Sequence, residues 1–308
     1  MRHSIREFGL PAVLLVASLV TTTANGSRFM HNFVLGLPPV ASERDLWPWM
    51  WLAHHPKMFV SGLAFSLTLL GILLIHELGH YFACLAHRVM CTLPYVIPAP
   101  TLSGTFGAVI RIRSFIPNRD ALMDVGIYGP LAGYLASTIA VAVGFVLSVP
   151  RAPGTPESLV RFGGDPLTLR LVHTLLLHWN PQLPGFDAIV PHPILIAGWI
   201  GLFITALNLI PGGQLDGGHI LYALSPRLHR AANLILPIVF LACGAIYWAG
   251  WIFWGIILLI PIFRHPRIPL DTHLAPGRIA LGFVGIAIFL LTFTPTPFYD
   301  NSLVELLR

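Results

Sequence analysis

The chain has 308 residues, of which 55% are hydrophobic and only 10% charged. Soluble domains carry about 25% charged residues, so this composition excludes an ordinary soluble fold and points to a protein that crosses a membrane several times. The net charge of +5 comes without any basic run interleaved with aromatics, which reads as membrane topology rather than nucleic-acid binding.

A bilayer-spanning helix needs about 20 apolar residues. On that criterion spans are predicted over 8–24, 58–86, 121–149, 194–222, 231–247, 249–264 and 278–295. The first follows a basic start and reads as an uncleaved span, with a signal peptide as the alternative. Residues 25–57 read as a polar outer loop. It ends in "LWPWMWLAHHPK", an aromatic cluster suited to a membrane interface or to ordinary burial. The second span carries "LLIHELGHYF", Leu73 to Phe82. After it comes "YVIPAPTLSGTFGAVIRIRS", where Pro94, Pro98 and Pro100 force an extended path. There "LSGT" can turn, and "AVIRIRS" alternates as a half-buried strand does. A β-hairpin dipping into the membrane is expected, a plain cytoplasmic hairpin being the alternative. The third span contains "DVGIYGPLAGYLAS", whose small residues suit close helix packing and the lining of a cavity.

Residues 150–193 are rich in Pro, Gly and Arg, and their apolar patch "LTLRLVHTLLLHW" is expected to lie on the membrane or to cap the bundle. The fourth span holds "NLIPGGQLDGGH", Asn208 to His219, in which Pro211, Gly212 and Gly213 break a helix. The fifth and sixth spans share one apolar run and form either a hairpin or one broken helix. The odd set Cys84, Cys91 and Cys243 argues against a disulfide framework. The fold expected is an all-α multi-pass transmembrane bundle of about six to seven spans with a small membrane-dipping β-hairpin. It divides into an N-terminal span and loop (1–57), a catalytic core (58–222) and C-terminal spans (223–308). Placing the N-terminus in the cytoplasm puts most of the 18 basic residues on that side, including Arg88, Arg111, Arg113, Arg119 and Arg278. A bacterial inner membrane is the expected location.

Charged groups are costly in lipid, and an intramembrane carboxylate between two imidazoles marks a functional site. His76 and His80 are four apart, so a helix places both rings on one face. Two nitrogens can then reach one zinc ion, and Glu77, beside the first ligand, is placed to take a proton from an activated water. A catalytic zinc wants a third protein ligand. Asp216 on the broken fourth span is the candidate, since irregular backbone at that depth lines a cavity or is buried in protein. The bland readings are packed core histidines and a helix cap at Asp216.

These two motifs resemble the site-2 proteases, intramembrane zinc metalloproteases, which pair H-E-x-x-H on one span with N-x-x-P…L-D-G on a later one. The resemblance covers roughly residues 58–222, with "YGPLAG" similar to the family's central span. It implies His76, His80 and Asp216 as ligands of Zn2+, Glu77 as general base and Asn208 as a group that holds the substrate or its developing oxyanion. Many family members insert a PDZ domain, and no gap between the predicted spans has room for one. "GTFGAVIRIRS" is similar to the form without it. Gly104, Thr105, Val109 and Ile110 are the candidate substrate-contacting residues, because a free strand edge can accept an extended substrate as a further strand. His219 reads as packing, capping or a partner of the metal ligands, and the outer-loop histidines as interfacial. The function expected is cleavage of a membrane-spanning protein in the bilayer. The alternatives are a membrane metal-binding protein or transporter and a catalytically silent scaffold.

Overall fold

The computed structural model describes residues 5–160, 164, 166–260, 273–299 and 302–306. Among them the chain is mostly helical. Helix α1 is Ile5–Val34, followed by a 3-10 turn Glu43–Leu46, the short helix α2 (Trp49–His54) and a 3-10 segment Pro56–Gly62. Helix α3 (Leu63–Ala86) leads into the antiparallel hairpin β1 (Tyr95–Pro98) and β2 (Thr105–Val109). Helix α4 (Arg119–Leu147) is followed by β3 (Val149–Pro150), α5 (Leu167–Trp179), β4 (Ile189–Val190), α6 (Pro193–Asn208) and α7 (Asp216–Leu224). The C-terminal part is α8 (Pro226–Ile246), α9 (Gly250–Leu259), α10 (Pro276–Thr292) and α11 (Leu303–Leu306).

Among the described residues, four helical stretches are long and apolar enough to cross a membrane: Phe8–Val34, Pro56–Ala86, Arg119–Leu147 and Pro226–Ile246. Pro193–Asn208, Gly250–Leu259 and Pro276–Thr292 are apolar but shorter. The central layer is α3, α4 and α6. Its core joins Phe65, Leu69 and Leu73 of α3 to Val141 and Phe145 of α4 and to Leu195, Trp199 and Leu202 of α6.

Two elements differ from the sequence expectation. Helix α1 does not stop at residue 24. Its polar continuation faces inward, with Thr22, Thr23, Asn25, Ser27 and Arg28 all buried. Arg28 pairs with the buried Asp45 and lies 4.5 Å over the Trp51 ring. Two of these groups hold neighbouring elements: Thr22 Oγ1 meets Ser66 Oγ of α3 at 2.5 Å, and Asn25 Nδ2 donates to the Thr101 carbonyl at 2.7 Å. The paired strand is Thr105–Val109 rather than 108–114, though Arg111 and Arg113 extend the ladder through Thr92 and Met90. The fourth span is broken where Pro211, Gly212 and Gly213 led one to expect, into α6 and α7, parted by the turn 209–215. Helix α5 packs on the bundle, with Thr168 Oγ1 donating to the Leu291 carbonyl of the α10 segment at 3.0 Å. The fifth and sixth apolar segments are separate helices, and residues 261–264 of the latter lie outside the described residues.

The hairpin runs along the bundle rather than away from it. Its base, at Met90 and Arg113, lies just past the end of α3. Ser18 Oγ donates to the Val96 carbonyl at 3.1 Å, and Thr21 Oγ1 to the Gly104 carbonyl at 2.6 Å. Polar side chains of α1 thus fasten β1 and the turn beside the helix pair that carries the site.

Candidate metal centre

His76, Glu77 and His80 sit on consecutive turns of α3 and are all buried. Asp216 is the first residue of α7, where the chain re-enters a helix after the 209–215 turn. These elements bring three potential ligand atoms to one point. His76 Nε2 and His80 Nε2 are 3.0 Å apart, and each is 3.3 Å from Asp216 Oδ2. Among the described residues this is the one group of three or more His, Cys, Asp or Glu with convergent ligand atoms.

The rings are oriented from behind. The Val125 carbonyl of α4 accepts from His80 Nδ1 at 2.6 Å. A carbonyl can only accept, so Nδ1 carries the proton and Nε2 is left with its lone pair toward Asp216. Asn208, the last residue of α6, places Nδ2 3.2 Å from His76 Nε2.

Helix α4 reaches the site through glycine. A β-carbon at Gly129 would run into the His80 ring, and one at Gly133 would lie 2.7 Å from His76 Nδ1. The two are four residues apart and match the four-residue spacing of the histidines, so the smooth face of α4 seats one imidazole per turn. Gly79 of α3 makes the reciprocal approach, against the Tyr128 carbonyl and Gly129. The small residues of "YGPLAG" thus both pack the two helices and shape the site.

A cavity of about 210 Å³ adjoins these three side chains. Glu77, Asn208 and His219 line it, together with Val109 and Ile110. The backbone of Ile110 faces the Glu77 carboxylate. The direction is set by alternation. Both backbone groups of Arg111 are taken up by Thr92, its N–H at 2.9 Å from Oγ1 and its carbonyl by the Thr92 N–H. The neighbouring Ile110 N–H therefore points the other way, toward Glu77.

Gly104 and Thr105 are not among the cavity-lining residues. Gly104 abuts Thr21 and Thr22 of α1, and Thr105 Oγ1 donates to the Ile97 carbonyl at 2.8 Å within the hairpin. Sequence reading did not single out Gln214 and Val125, which also line the cavity. Gln214 lay inside the quoted motif and was available as its one uncharged polar side chain at the break, whereas a backbone carbonyl such as that of Val125 leaves no sequence signal.

The signature of peptidase family M50 matches residues 64–246, which includes every element that contributes to this cavity. The chain belongs to peptidase family M50. The resemblance to site-2 proteases seen in the two motifs is borne out by that match. Similar proteins are the probable zinc metalloprotease EGY1, chloroplastic, of Arabidopsis thaliana, 34% identical over 80% of this chain and 44% of the relative, and its namesake from Oryza sativa subsp. japonica, 32% identical over 80% and 42%. The probable zinc metalloprotease EGY2, chloroplastic, of Oryza sativa subsp. indica is 28% identical over 80% and 45%. The chain therefore spans less than half the length of these relatives.

Proposed function

We propose that the protein is an intramembrane zinc metalloprotease that hydrolyses a peptide bond of a membrane-spanning protein. The observation that carries this reading is the meeting of His76, His80 and Asp216 at 3.0–3.3 Å, with Glu77 in the same buried cavity. Three lone-pair acceptors facing one another call for a cation between them. Zinc suits the set: with bonds of about 2.0–2.1 Å, the edge of its tetrahedron is about 3.3 Å. Two histidines and a carboxylate form one of the donor sets known for catalytic zinc, which leaves a fourth position for water. The names of the relatives point to the same metal.

Zinc bound there would polarise the scissile carbonyl and acidify a water. The chain's own residues supply the rest. Glu77 accepts the proton of the attacking water and returns it to the leaving amine. The Ile110 N–H steadies that carboxylate beside the ligands. Asn208 brings an amide donor to the cavity and suits the developing oxyanion. Val125 fixes His80, and the unpaired edge of β2 offers backbone groups to an extended substrate.

The setting is a multi-pass integral membrane protein of about six to seven spans, with α6 plus α7, α9 and α10 joining the four long helices. Gly129 is ten residues into α4, so the His80 ring it faces is about 15 Å along the helix from that end. Arg119 donates to the Ala223 and Leu224 carbonyls, and Arg278 pairs with Asp120 and Asp124. The starts of α4 and α10 and the end of α7 therefore share one rim with these arginines. That charge favours a cytoplasmic rim and a cytoplasmic N-terminus, in a bacterial inner membrane. A transporter is disfavoured, because Asp124 is not part of a polar path but is bound by Arg278 and by His87 at 2.6 Å.

The test is co-expression with a library of single-span membrane proteins, comparing wild type with Glu77→Gln. Fragments that appear with wild type and vanish with Glu77→Gln at equal zinc content support the reading. Turnover that survives in Glu77→Gln, with rates within tenfold of wild type, refutes it, since loss of a general base costs about 10²–10⁴-fold.

A further inference from the structure

The turn between α6 and α7 carries Asn208 at one end and Asp216 at the other, and it is itself held from outside the cavity. Gly213 sits at its apex with φ +59°, in the left-handed region. Both of its backbone polar groups are taken up by one neighbour helix. Its N–H donates to Asn233 Oδ1 of α8 at 2.7 Å. Its carbonyl accepts from His229 Nε2 at 3.1 Å. Asn233 Nδ2 lies 3.2 Å from His229 Nδ1 and closes the triangle.

We propose that His229 and Asn233 are positioning residues for the metal centre, a clasp that fixes the Gly213 turn and through it Asp216. The two are one turn apart on α8 and share a face. Because the Gly213 carbonyl requires a donor, His229 carries its proton on Nε2. The oxygen of the Asn233 amide accepts from the Gly213 N–H, and its nitrogen rests against the imidazole, 3.2 Å from Nδ1 and 3.3 Å from Nε2. His229 is buried and lies edge-on to the Tyr222 ring of α7, centroids 5.3 Å apart. Neither residue lines the cavity, so neither touches metal or substrate.

The physical need follows from the break in the helix. Residues 209–215 leave backbone groups without helical partners, and an unpaired group buried away from water is costly. Two side chains satisfy both groups of the residue three positions before Asp216. Losing them frees the turn to move, and the ligand moves with it. The inference rests on the metalloprotease reading above and extends it to a layer behind the ligands.

The experiment uses the full chain purified in detergent. Zinc affinity is measured by chelator competition, alongside kcat and KM on a cleaved substrate and the unfolding midpoint of metal-stripped protein. Asn233→Ala and His229→Ala should weaken zinc about 10–100-fold, as loss of groups that orient metal ligands typically does. They should lower kcat with KM changed less than about twofold, as expected for a group felt in the transition state rather than in substrate binding. Asn233→Asp, which keeps the acceptor, and His229→Gln, which keeps a donor, should recover most of the affinity. Where an alanine variant does not accumulate, His229→Phe keeps the ring volume, loses the donor and carries the same expectation. Phe240→Leu on the same helix is the control for general destabilisation and should lower the midpoint with zinc affinity unchanged. Wild-type zinc affinity in the clasp variants, or equal loss in Phe240→Leu, overturns the inference alone. A wild-type protein that binds no zinc overturns the metalloprotease reading and the inference with it.

Discussion

Gly129→Ala adds one methyl group at the place where α4 meets the His80 ring. Non-bonded atoms settle about 3.5–4.0 Å apart, and the new carbon would fall well inside that distance of Nε2, Cδ2 and Cε1. The ring has little room to retreat, because Nδ1 is tied to the Val125 carbonyl at 2.6 Å and Nε2 faces His76 at 3.0 Å. Either the ring swings out of register with Asp216 or α4 backs away from α3. Overpacking of this kind costs about 1–3 kcal/mol. A misdirected ligand lowers metal affinity by about 10–100-fold, about 1.4–2.8 kcal/mol. The neighbouring glycines grade the effect. Gly133→Ala, with its clash at 2.7 Å to His76 Nδ1, should cost less, and Gly126→Ala, 3.1 Å from the His219 Cβ, less again. Gly71→Ala, with nothing within 4 Å, should leave zinc affinity unchanged and gain about 0.5–1 kcal/mol of helix stability. Chelator competition gives the affinities and thermal unfolding the stabilities. If Gly129→Ala binds zinc as wild type does while folded, or if the four variants fall in no such order, the glycine face of α4 does not shape the site.

Two further outcomes are expected. Asp216→Ala should fold but lose stoichiometric zinc, measured by elemental analysis of the purified protein, and undiminished content would remove Asp216 from the ligand set. Ile110→Pro should cut cleavage by at least tenfold with zinc retained, because proline deletes the N–H that faces Glu77. The double variant Val109→Ala, Ile110→Ala trims side chains yet keeps both donors and should retain most of the activity. Equal activity of the proline and wild-type proteins in a cleavage assay would end the role assigned to that N–H.

The parts of this architecture that sequence reading reached are those in which a polar residue is dear. Within apolar spans Glu77 and Asp216 had few competitors, and the histidine spacing required only a helix. The break at Pro211–Gly213 was visible because proline and glycine act locally. Polar groups turned inward were harder. "TTTANGSR" reads as an exit from the membrane by hydropathy, yet in the structure it is the most thoroughly buried stretch of α1, where Thr21, Thr22 and Asn25 find partners on α3 and on the hairpin turn. The strand was placed three residues late for a related reason. The alternation of "AVIRIRS" is real, but Thr105 and Phe106 enter the ladder earlier through an irregularity in register opposite Ile97 and Pro98, which no two-residue period reveals. His229 and Asn233 left a faint signal: a polar pair four apart on a helix otherwise rich in apolar residues. What they hold, a backbone N–H and a carbonyl, has no signature at all.

The broken span has a consequence in time. Asn208 follows His76 by 132 residues, and Asp216 comes later still. At about 5–20 residues per second of synthesis, α3 and its HELGH motif leave the ribosome about 7–28 seconds before Asp216. During that interval the nascent chain holds two imidazoles and a glutamate with no carboxylate opposite them. A cluster split across such distant segments comes together only after α1 to α6 and the start of α7 have been made, so the order of translation keeps the growing chain without an assembled centre through most of its early insertion.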